Sequence, residues 1–283
     1  MEANSTQPAP DAQGAALGNV SLCSNLMRSP QVFNQYGPTI EGLARDLMIW
    51  AAWNGAKEAT LNVRQFAKMF GYSTAFLFKR ISTEQQAELA KSKMGPEFKD
   101  RIGYALAKLY LQRLSFPTSA PYTSKDESGV ERTYSGLVLI KNLTTRSSRL
   151  GTFYKFELSG SFLNNCRKRY QTFSLDTYLL LRDDSGKAYS SARKLFLHLC
   201  WKRKVWDKAK KQPGVRPSLC QYDELTSIAG FSYGHDKRSA HVLRQLLDTL
   251  ADRPGVQMSG EVVKDHESEQ YRVNLKRHPS TEK

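Results

Sequence analysis

The sequence lacks the features of several large protein classes. It has no apolar run long enough to cross a membrane as a helix, and its first residues have neither the positive start nor the hydrophobic core of a secretory signal. Acidic residues are few beside basic ones, 27 against 42, so the net charge is +15. We therefore expect a cytoplasmic protein that does not bind membranes, with a polyanion such as nucleic acid as its first candidate partner.

Cysteine is also rare, and the residues of several enzyme classes are missing. The four cysteines include no Cys-x-x-Cys pair, which predicts reduced thiols and no metal site. The sequence has no GxxxxGK[ST] phosphate loop, because Gly186-Lys187 lacks the upstream glycine. It also lacks two histidines flanking one hydrophobic residue, the metal ligands that a rolling-circle nickase needs beside its tyrosine. We expect no catalysis and no cofactor.

The chain divides by composition into four segments. Residues 1–36 are rich in Ala, Ser, Gln, Asn, Pro and Gly, which predicts a disordered tail. The remaining length and hydrophobic content suffice for two medium cores. We predict a first domain at 37–165, a second at 166–278 and a short tail at 279–283.

Both domains show the same order of patterns, namely helix, short strand, helix, helix and hairpin. In the first domain the helices are predicted from Thr39 to Gly55, at 63–70 before Gly71, and from Pro96 to Leu114. In the second domain they are predicted at 189–206, at 222–230 and at 236–252. Hairpins are predicted at 133–160 and 256–277. The pattern indicates an α+β protein with two tandem winged-helix (helix-turn-helix) domains.

Two short matches indicate that one half duplicates the other. ARDLMIWAAW at 44–53 is similar to ARKLFLHLCW at 192–201, and FAKMFGYS at 66–73 is similar to LTSIAGFS at 225–232. Matches of this length are individually weak. Their order along the chain is the same in both halves, as an internal repeat requires.

The third helix of the second domain is the main candidate for contact with DNA. Its apolar residues recur at spacings of three and four, which predicts one buried face. The opposite face holds donors suited to phosphates and base edges: Lys237, Arg238, His241, Arg244 and Gln245. Ser232, Tyr233 and the amides at the start of the helix are predicted to hold a phosphate. The alternative is a helix face that is simply solvated.

Further cations cluster elsewhere in the chain. Nine Lys or Arg lie between Lys187 and Lys211 against one acidic residue, and Arg167, Lys168 and Arg169 lie between the two domains. If these side chains contacted the phosphates of a nucleic acid, counterions would be released, which would contribute to the affinity. The alternatives are a solvated loop and charges that stabilise the end of a helix.

Three segments carry a resemblance to a known family: YKFELSGSFLNN at 154–165, RYQTFSLDTYLLL at 169–181 and KAYSSARKLFLHL at 187–199. With the basic helix and final hairpin that follow, the chain resembles the plasmid replication initiators, the iteron-binding Rep proteins with tandem winged-helix domains, and is nearest to the TrfA-like group. In the order of its helices and strands, the resemblance covers roughly residues 40 to 277. It implies binding to direct repeats at an origin, opening of adjacent DNA, and recruitment of a host initiator and the replicative helicase. It also implies a homodimer formed through the first domain.

Carried onto this chain, the resemblance makes the five residues of the third helix the main groove readers. It assigns the same role in the first domain to Arg101, Tyr104 and Lys108, and makes Arg146, Arg149 and Lys264 contacts of the two hairpin wings. One rival function is a winged-helix transcriptional regulator, which an operator palindrome would favour. Another is an RNA-binding or adaptor protein, which weak sequence preference would favour.

Overall fold

The computed structural model describes residues 17–118, 121–125, 130–148, 151–168, 170–182, 189–210, 222–231, 236–265, 267 and 269–277. These residues form both helices and antiparallel strands, which confirms the predicted α+β class. Within the described ranges, none of the helices has the length and apolar character needed to cross a bilayer.

The secondary structure is as follows. The helices are α1 Ser24–Arg28, α2 Glu41–Asn54, α3 Val63–Phe70, α4 Thr74–Leu77, α5 Thr83–Lys91, α6 Arg101–Leu111, α7 Gly160–Lys168, α8 Leu175–Leu179, α9 Ser190–Lys210, α10 Tyr222–Ala229 and α11 Lys237–Ala251. The strands are β1 Asn19–Cys23, β2 Glu58–Asn62, β3 Leu114–Ser115, β4 Tyr122–Lys125, β5 Glu131–Tyr134, β6 Gly136–Leu137, β7 Ile140–Ser148, β8 Gly151–Leu158, β9 Tyr170–Ser174, β10 Met258–Lys264 and β11 Tyr271–Arg277. Two 3-10 helices span Pro30–Tyr36 and Pro96–Phe98.

The segment 17–36 is not the disordered tail that composition predicts. Strand β1 pairs antiparallel with β9, which lies far along the chain. Val20 and Leu22 alternate into the core from β1, and Phe33 is buried in the 3-10 helix that follows. The prediction is wrong here because the segment is stabilised by a remote strand, which its composition does not reveal. The rest of the predicted tail, residues 1–16, lies outside the described residues.

Glycines follow three helices, and the sequence predicts stops at the first two, Gly55 and Gly71. Gly55 after α2, Gly71 after α3 and Gly230 after α10 have φ of 66°, 78° and 84°. A left-handed backbone of this kind is favourable for glycine, which has no Cβ. At the other end of α3, the Asn62 side chain accepts hydrogen bonds from the Arg64 and Gln65 amides.

Helix α6 begins later than the sequence indicates. Pro96 was the predicted start, but it opens a 3-10 turn instead. The α-helix begins at Arg101, where the Asp100 carboxylate accepts a hydrogen bond from the Gly103 amide at 2.8 Å. The Asp100 side chain accepts a hydrogen bond from a free amide of the first helical turn, whereas Pro96 has no side-chain oxygen that could do so.

Both predicted hairpins form. In the first half β7 pairs with β8, and β2 joins the other edge of β8, giving the strand order β2-β8-β7. Tyr154 and Phe156 of β8 are buried on the inner face of this sheet. In the second half β10 pairs with β11, with Val262 opposite Val273. Two further small antiparallel pairs are β3 with β6 and β4 with β5.

The two halves share one core. Buried apolar residues from β1 to β11 form a continuous cluster, and the predicted domain boundary at 165/166 falls inside α7. The repeated segments 44–53 and 192–201 lie in α2 and α9, the first long helix of each half. The division into domains therefore remains a prediction from element order rather than from separate cores.

Candidate nucleic-acid interface

Helix α11 has the two faces that its spacing predicts. Leu243, Leu246, Leu247 and Leu250 are at most 2% exposed and pack against the hairpin and the neighbouring helices. The five predicted groove readers are all exposed on α11: Lys237, Arg238, His241, Arg244 and Gln245. Because the leucines hold one face of the helix in place, the donors of the other face project from a rigid element.

Arg244 already has one internal partner. Its Nη2 donates to the Val262 carbonyl of β10 at 3.0 Å. This bond holds α11 against the hairpin and uses part of the guanidinium fork. Arg244 can therefore offer fewer donors to DNA than Arg238, which projects from the first turn of the helix.

The start of α11 differs from the predicted phosphate site. The Asp236 carboxylate accepts a hydrogen bond from the Ser239 amide, and that bond lowers the pKa of Asp236 below its usual range. A phosphate at this amide would have to displace a fixed negative charge, so the prediction is wrong for the Ser239 amide. Ser232 and Tyr233 lie outside the described residues.

The hairpin of the second half is balanced in charge. Lys264 Nζ lies 3.4 Å from Glu269, Arg272 lies 2.6 Å from Asp265, and Lys276 lies 3.8 Å from Glu261. Glu267 adds a further acidic residue to the tip. The sequence predicted that Lys264 would contact DNA as part of the wing. In the structure Lys264 is paired with an acidic residue instead, and the acidic side chains at the hairpin tip would repel the phosphates of DNA.

The predicted first-half readers on α6 are covered rather than exposed. Tyr104 is 4% exposed, and its hydroxyl donates to Glu88 Oε2 at 2.7 Å. Lys108 Nζ donates to Glu88 Oε1 at 2.7 Å. These two bonds lower the pKa of Glu88, with that of Lys108 the stronger cause. The assignment fails because α5, which carries Glu88, lies over this face of α6.

Arg101, the third of these residues, stacks on an aromatic ring. Its guanidinium carbon lies 4.4 Å from the centroid of the Phe76 ring in α4. Cation–π contact of this kind fixes the side chain but leaves its edge N–H groups able to donate. Of the predicted first-half set, Arg101 is therefore the one residue that still fits an anion contact.

Exposed cations that the sequence predictions missed lie on α3 and just after α4. Arg64 and Lys68 are exposed on α3, and Lys79 and Arg80 are exposed just after α4. The Ser73 side chain caps α4 by accepting from the Phe76 amide at 3.1 Å. The match of FAKMFGYS with LTSIAGFS could have found Lys79, because it follows Gly71 by eight residues, as Arg238 follows Gly230.

The remaining predicted residues are divided between exposed and undescribed positions. Arg146 is exposed near the end of β7, and Arg167 and Lys168 are exposed in the last turn of α7. The two α7 residues also lie where cations stabilise the carbonyl end of a helix. Arg149 and Arg169 lie outside the described residues.

The basic run of α9 is largely internal. Arg193 is fully buried against Asp46, Lys194 contacts Glu41 at 3.2 Å, and Lys202 lies 3.7 Å from Glu224. The expectation of phosphate contacts along this run fails for these three cations. They face other helices of the protein, where burial demands a paired carboxylate.

No protein-family model matches this sequence, and no curated protein sequence matches it either. Among solved structures the chain is similar to the crystal structure of domain 2 and domain 3 of RctB, a selenomethionine derivative. The superposition covers 90% of this chain and 82% of that chain, with 11% sequence identity and a TM-score of 0.40. A similarity at this level supports no conclusion about function.

Proposed function

We propose that this chain is a sequence-specific double-stranded DNA-binding protein that initiates plasmid replication at direct repeats and acts by binding, not by catalysis. The observation that carries the proposal is the cationic stripe of α11, which is held outward by four buried leucines and followed directly by a hairpin. A helix in this setting has the dimensions and the donors to enter a major groove.

The arrangement of the first half supports a winged-helix unit there. An early strand, β2, joins the hairpin β7–β8 in one sheet. Helices α3 and α6 pack against that sheet, and Trp50 of α2 contacts Phe156 of β8. Three helices, an early strand and a C-terminal hairpin are the parts of a winged helix, a form of helix-turn-helix. The second half has α9, α10, α11 and the hairpin β10–β11 in the same order.

The first-half contact surface is proposed at the α3–α4 turn instead of α6. Arg64, Lys68, Lys79 and Arg80 offer exposed cations there, whereas Tyr104 and Lys108 are bound to Glu88. Contact through two surfaces would give a longer target than one helix can read.

The role as an initiator rests on the resemblance described from the sequence. It is the resemblance that suggests tandem direct repeats as the target and a host initiator and helicase as partners. A homodimer formed through the first half is proposed on the same ground.

A selection of bound sites from random duplex DNA at near-physiological salt tests the proposal, followed by footprinting next to the gene that encodes the chain. We expect a long directional motif present there as tandem direct repeats. A short palindrome would instead favour a transcriptional repressor. Equal affinity for RNA and for unselected DNA would contradict specific DNA recognition altogether.

A further inference from the structure

Two arginines at matching positions of the repeated segments converge on one carboxylate. Arg45 follows Ala44 in α2, and Arg193 follows Ala192 in α9. Arg45 Nε lies 3.4 Å from Asp46 Oδ1, and Arg193 Nη1 donates to Asp46 Oδ2. All three side chains are at most 1% exposed. The first long helices of the two halves are therefore joined by a buried ionic cluster.

Two tyrosine hydroxyls complete the cluster around Asp46. Tyr178 of α8 donates to Oδ1 at 2.5 Å, and it accepts from Arg45 Nε at 2.9 Å. Tyr72 donates to Oδ2 at 2.9 Å. Asp46 thus binds groups from the α3–α4 turn, from α8 and from α9. We call Arg45, Asp46, Tyr72, Tyr178 and Arg193 the Asp46 cluster.

The Asp46 cluster holds the turn of the first helix-turn-helix. Tyr72 belongs to the turn that joins α3 to α4, next to Gly71. Arg193 Nη2 also donates to the carbonyl of Phe70, the last residue of α3, at 3.2 Å. The first turn is therefore bonded to α9 through the Phe70 carbonyl and to Asp46 of α2 through the Tyr72 side chain.

The same end of α9 contacts the end of α10, where the turn of the second helix-turn-helix begins. Ser191 Oγ donates to the carbonyl of Ala229, the last residue of α10, at 2.7 Å. Lys194 Nζ lies so close to Gly230 that a Cβ there would be 2.8 Å away. Lys194 also bonds to Glu41 of α2 at 3.2 Å. Residues 190–194 of α9 thus contact both the end of α3 and the end of α10.

A shift of one half relative to the other would be energetically unfavourable at the Asp46 cluster. Any shift that separates Arg193 from Asp46 leaves charges buried without partners, which is among the most unfavourable arrangements in a protein interior. A buried ionic cluster with several hydrogen bonds accepts one geometry, unlike an apolar contact, which can slide.

We propose that the Asp46 cluster sets the separation between the two DNA-contacting surfaces, the α3–α4 turn and α11, so that Asp46 is a positioning residue that determines the spacing of the DNA segments read by the two halves. The part of the proposal that concerns DNA spacing rests on the proposed function. The part that concerns the protein, the fixed separation, can be measured without DNA.

The first measurement is a pulsed electron paramagnetic resonance distance between spin labels at Glu84→Cys in α5 and Thr249→Cys in α11, in a Cys220→Ser background. Both label positions are exposed, and Cys23, Cys166 and Cys200 are buried. We expect a narrow distribution in the otherwise natural chain and about a twofold broader one with Asp46→Asn, which keeps the shape but loses the charge. An unchanged width with Asp46→Asn would overturn the proposal.

The second measurement is affinity for selected sites in which one base pair is inserted or deleted between the two footprinted segments. Each change turns one segment by about a tenth of a helical turn relative to the other, and we expect it to weaken natural binding about tenfold or more. With Asp46→Asn the affinities for the sites of different spacing should differ by no more than about threefold. The matched control Arg238→Ala should weaken binding alike at every spacing. A series as steep with Asp46→Asn as without it would overturn the proposal.

Tyr72→Phe decides the question if Asp46→Asn does not fold. It removes one hydroxyl from Asp46 and keeps the ring, so we expect a smaller broadening in the label distance and a partly flattened spacing series. No change in either would overturn the proposal. If the natural chain selects no DNA sequence, the proposed function fails, and the label distances alone then decide whether the Asp46 cluster fixes the separation.

Discussion

Side chains on the exposed stripe of α11 differ in what else they bind. Arg244 donates to the Val262 carbonyl, whereas Arg238 projects from the first turn of the helix, where recognition helices usually meet base edges. Arg238 is therefore the residue on which base recognition is most directly tested.

Arg238→Ala is expected to cost about 1–3 kcal/mol of binding free energy at the selected site and to relax the preference at one base position. Competition binding on a panel of single-base variants measures both effects. Lys276→Ala, which removes an exposed lysine paired with Glu261, is the control and should leave the preference unchanged. Uniform weakening on every site, with the preference kept, would instead make Arg238 a phosphate contact.

His198 shows how a buried titratable group links stability to pH. Burial lowers the pKa of its imidazole to about 4, although Glu224 lies 3.6 Å from Nε2. Nδ1 is 2.8 Å from the Arg28 carbonyl, a geometry in which a neutral ring donates to the oxygen. The folded chain therefore keeps a neutral imidazole at pH values where the unfolded chain binds a proton.

The free energy of unfolding should fall as the pH is lowered from about 6.5 to about 4, by up to about 3 kcal/mol from this residue. The sign follows because in that window the unfolded state binds more protons than the folded state. Urea unfolding at a series of pH values measures the slope. In His198→Gln the slope within this window should be smaller, and an unchanged slope would contradict the assignment.

Helices and turns show which predictions depend on neighbouring residues only. Helices α2, α3, α9, α10 and α11 were predicted from apolar spacing and from glycine stops, and each one forms. The start of α6 was misplaced, because both Pro96 and Asp100 are plausible first-turn residues in sequence. Hydrogen bonding of the Gly103 amide decided between them.

The glycine between α3 and α4 gives a test of the first turn. Gly71 has φ of 78°, and a Cβ there would overlap the Arg182 guanidinium. Gly55 has φ of 66°, but a Cβ there would meet nothing within 4 Å. The two positions therefore separate backbone strain from steric overlap.

Gly55→Ala should destabilise the protein by about 1 kcal/mol through backbone strain alone. Gly71→Ala should cost at most about 0.5 kcal/mol more, because the overlapping atoms are the end of the exposed, flexible Arg182 side chain, which can move aside. Thermal and urea unfolding measure both variants. A loss more than about 1 kcal/mol larger for Gly71→Ala than for Gly55→Ala would mean that Arg182 cannot move aside and that its neighbours confine the first turn.

Across the whole molecule, the N-terminal segment joins parts that are distant in the chain. Strand β1 pairs with β9, the Trp53 indole donates to the Leu17 carbonyl at 3.1 Å, and the Leu17 amide donates to Asp176 at 3.0 Å. Residues 17–36 thus contact both halves, in the region that was predicted to be disordered.

Phe33→Ala should destabilise the whole protein by about 3–5 kcal/mol, because Phe33 is 2% exposed and its removal leaves a cavity. Asn19→Ala, at the exposed start of β1, should change the free energy of unfolding by less than about 0.5 kcal/mol. Urea unfolding followed by circular dichroism and by tryptophan fluorescence should give one coincident transition. Two separate transitions, with Phe33→Ala affecting neither, would contradict a segment that joins the halves.

The amino-acid order alone determined the α+β class, the main helices, both hairpins and the donor stripe of α11. These features depend on periodicity and on residues close together in the chain, so a local pattern contains the information. The tertiary structure alone decided which cations are accessible. Arg193 and Arg238 both lie early in basic, apolar-striped helices, yet Arg193 is buried against Asp46 and Arg238 is exposed. Similarly, Tyr104 and Lys108 are covered by Glu88, and β1 is paired with β9. Each of these outcomes depends on a partner that only folding brings close. The free energy of a charged side chain depends on its burial, and the neighbouring residues in the sequence do not show whether that charge is buried.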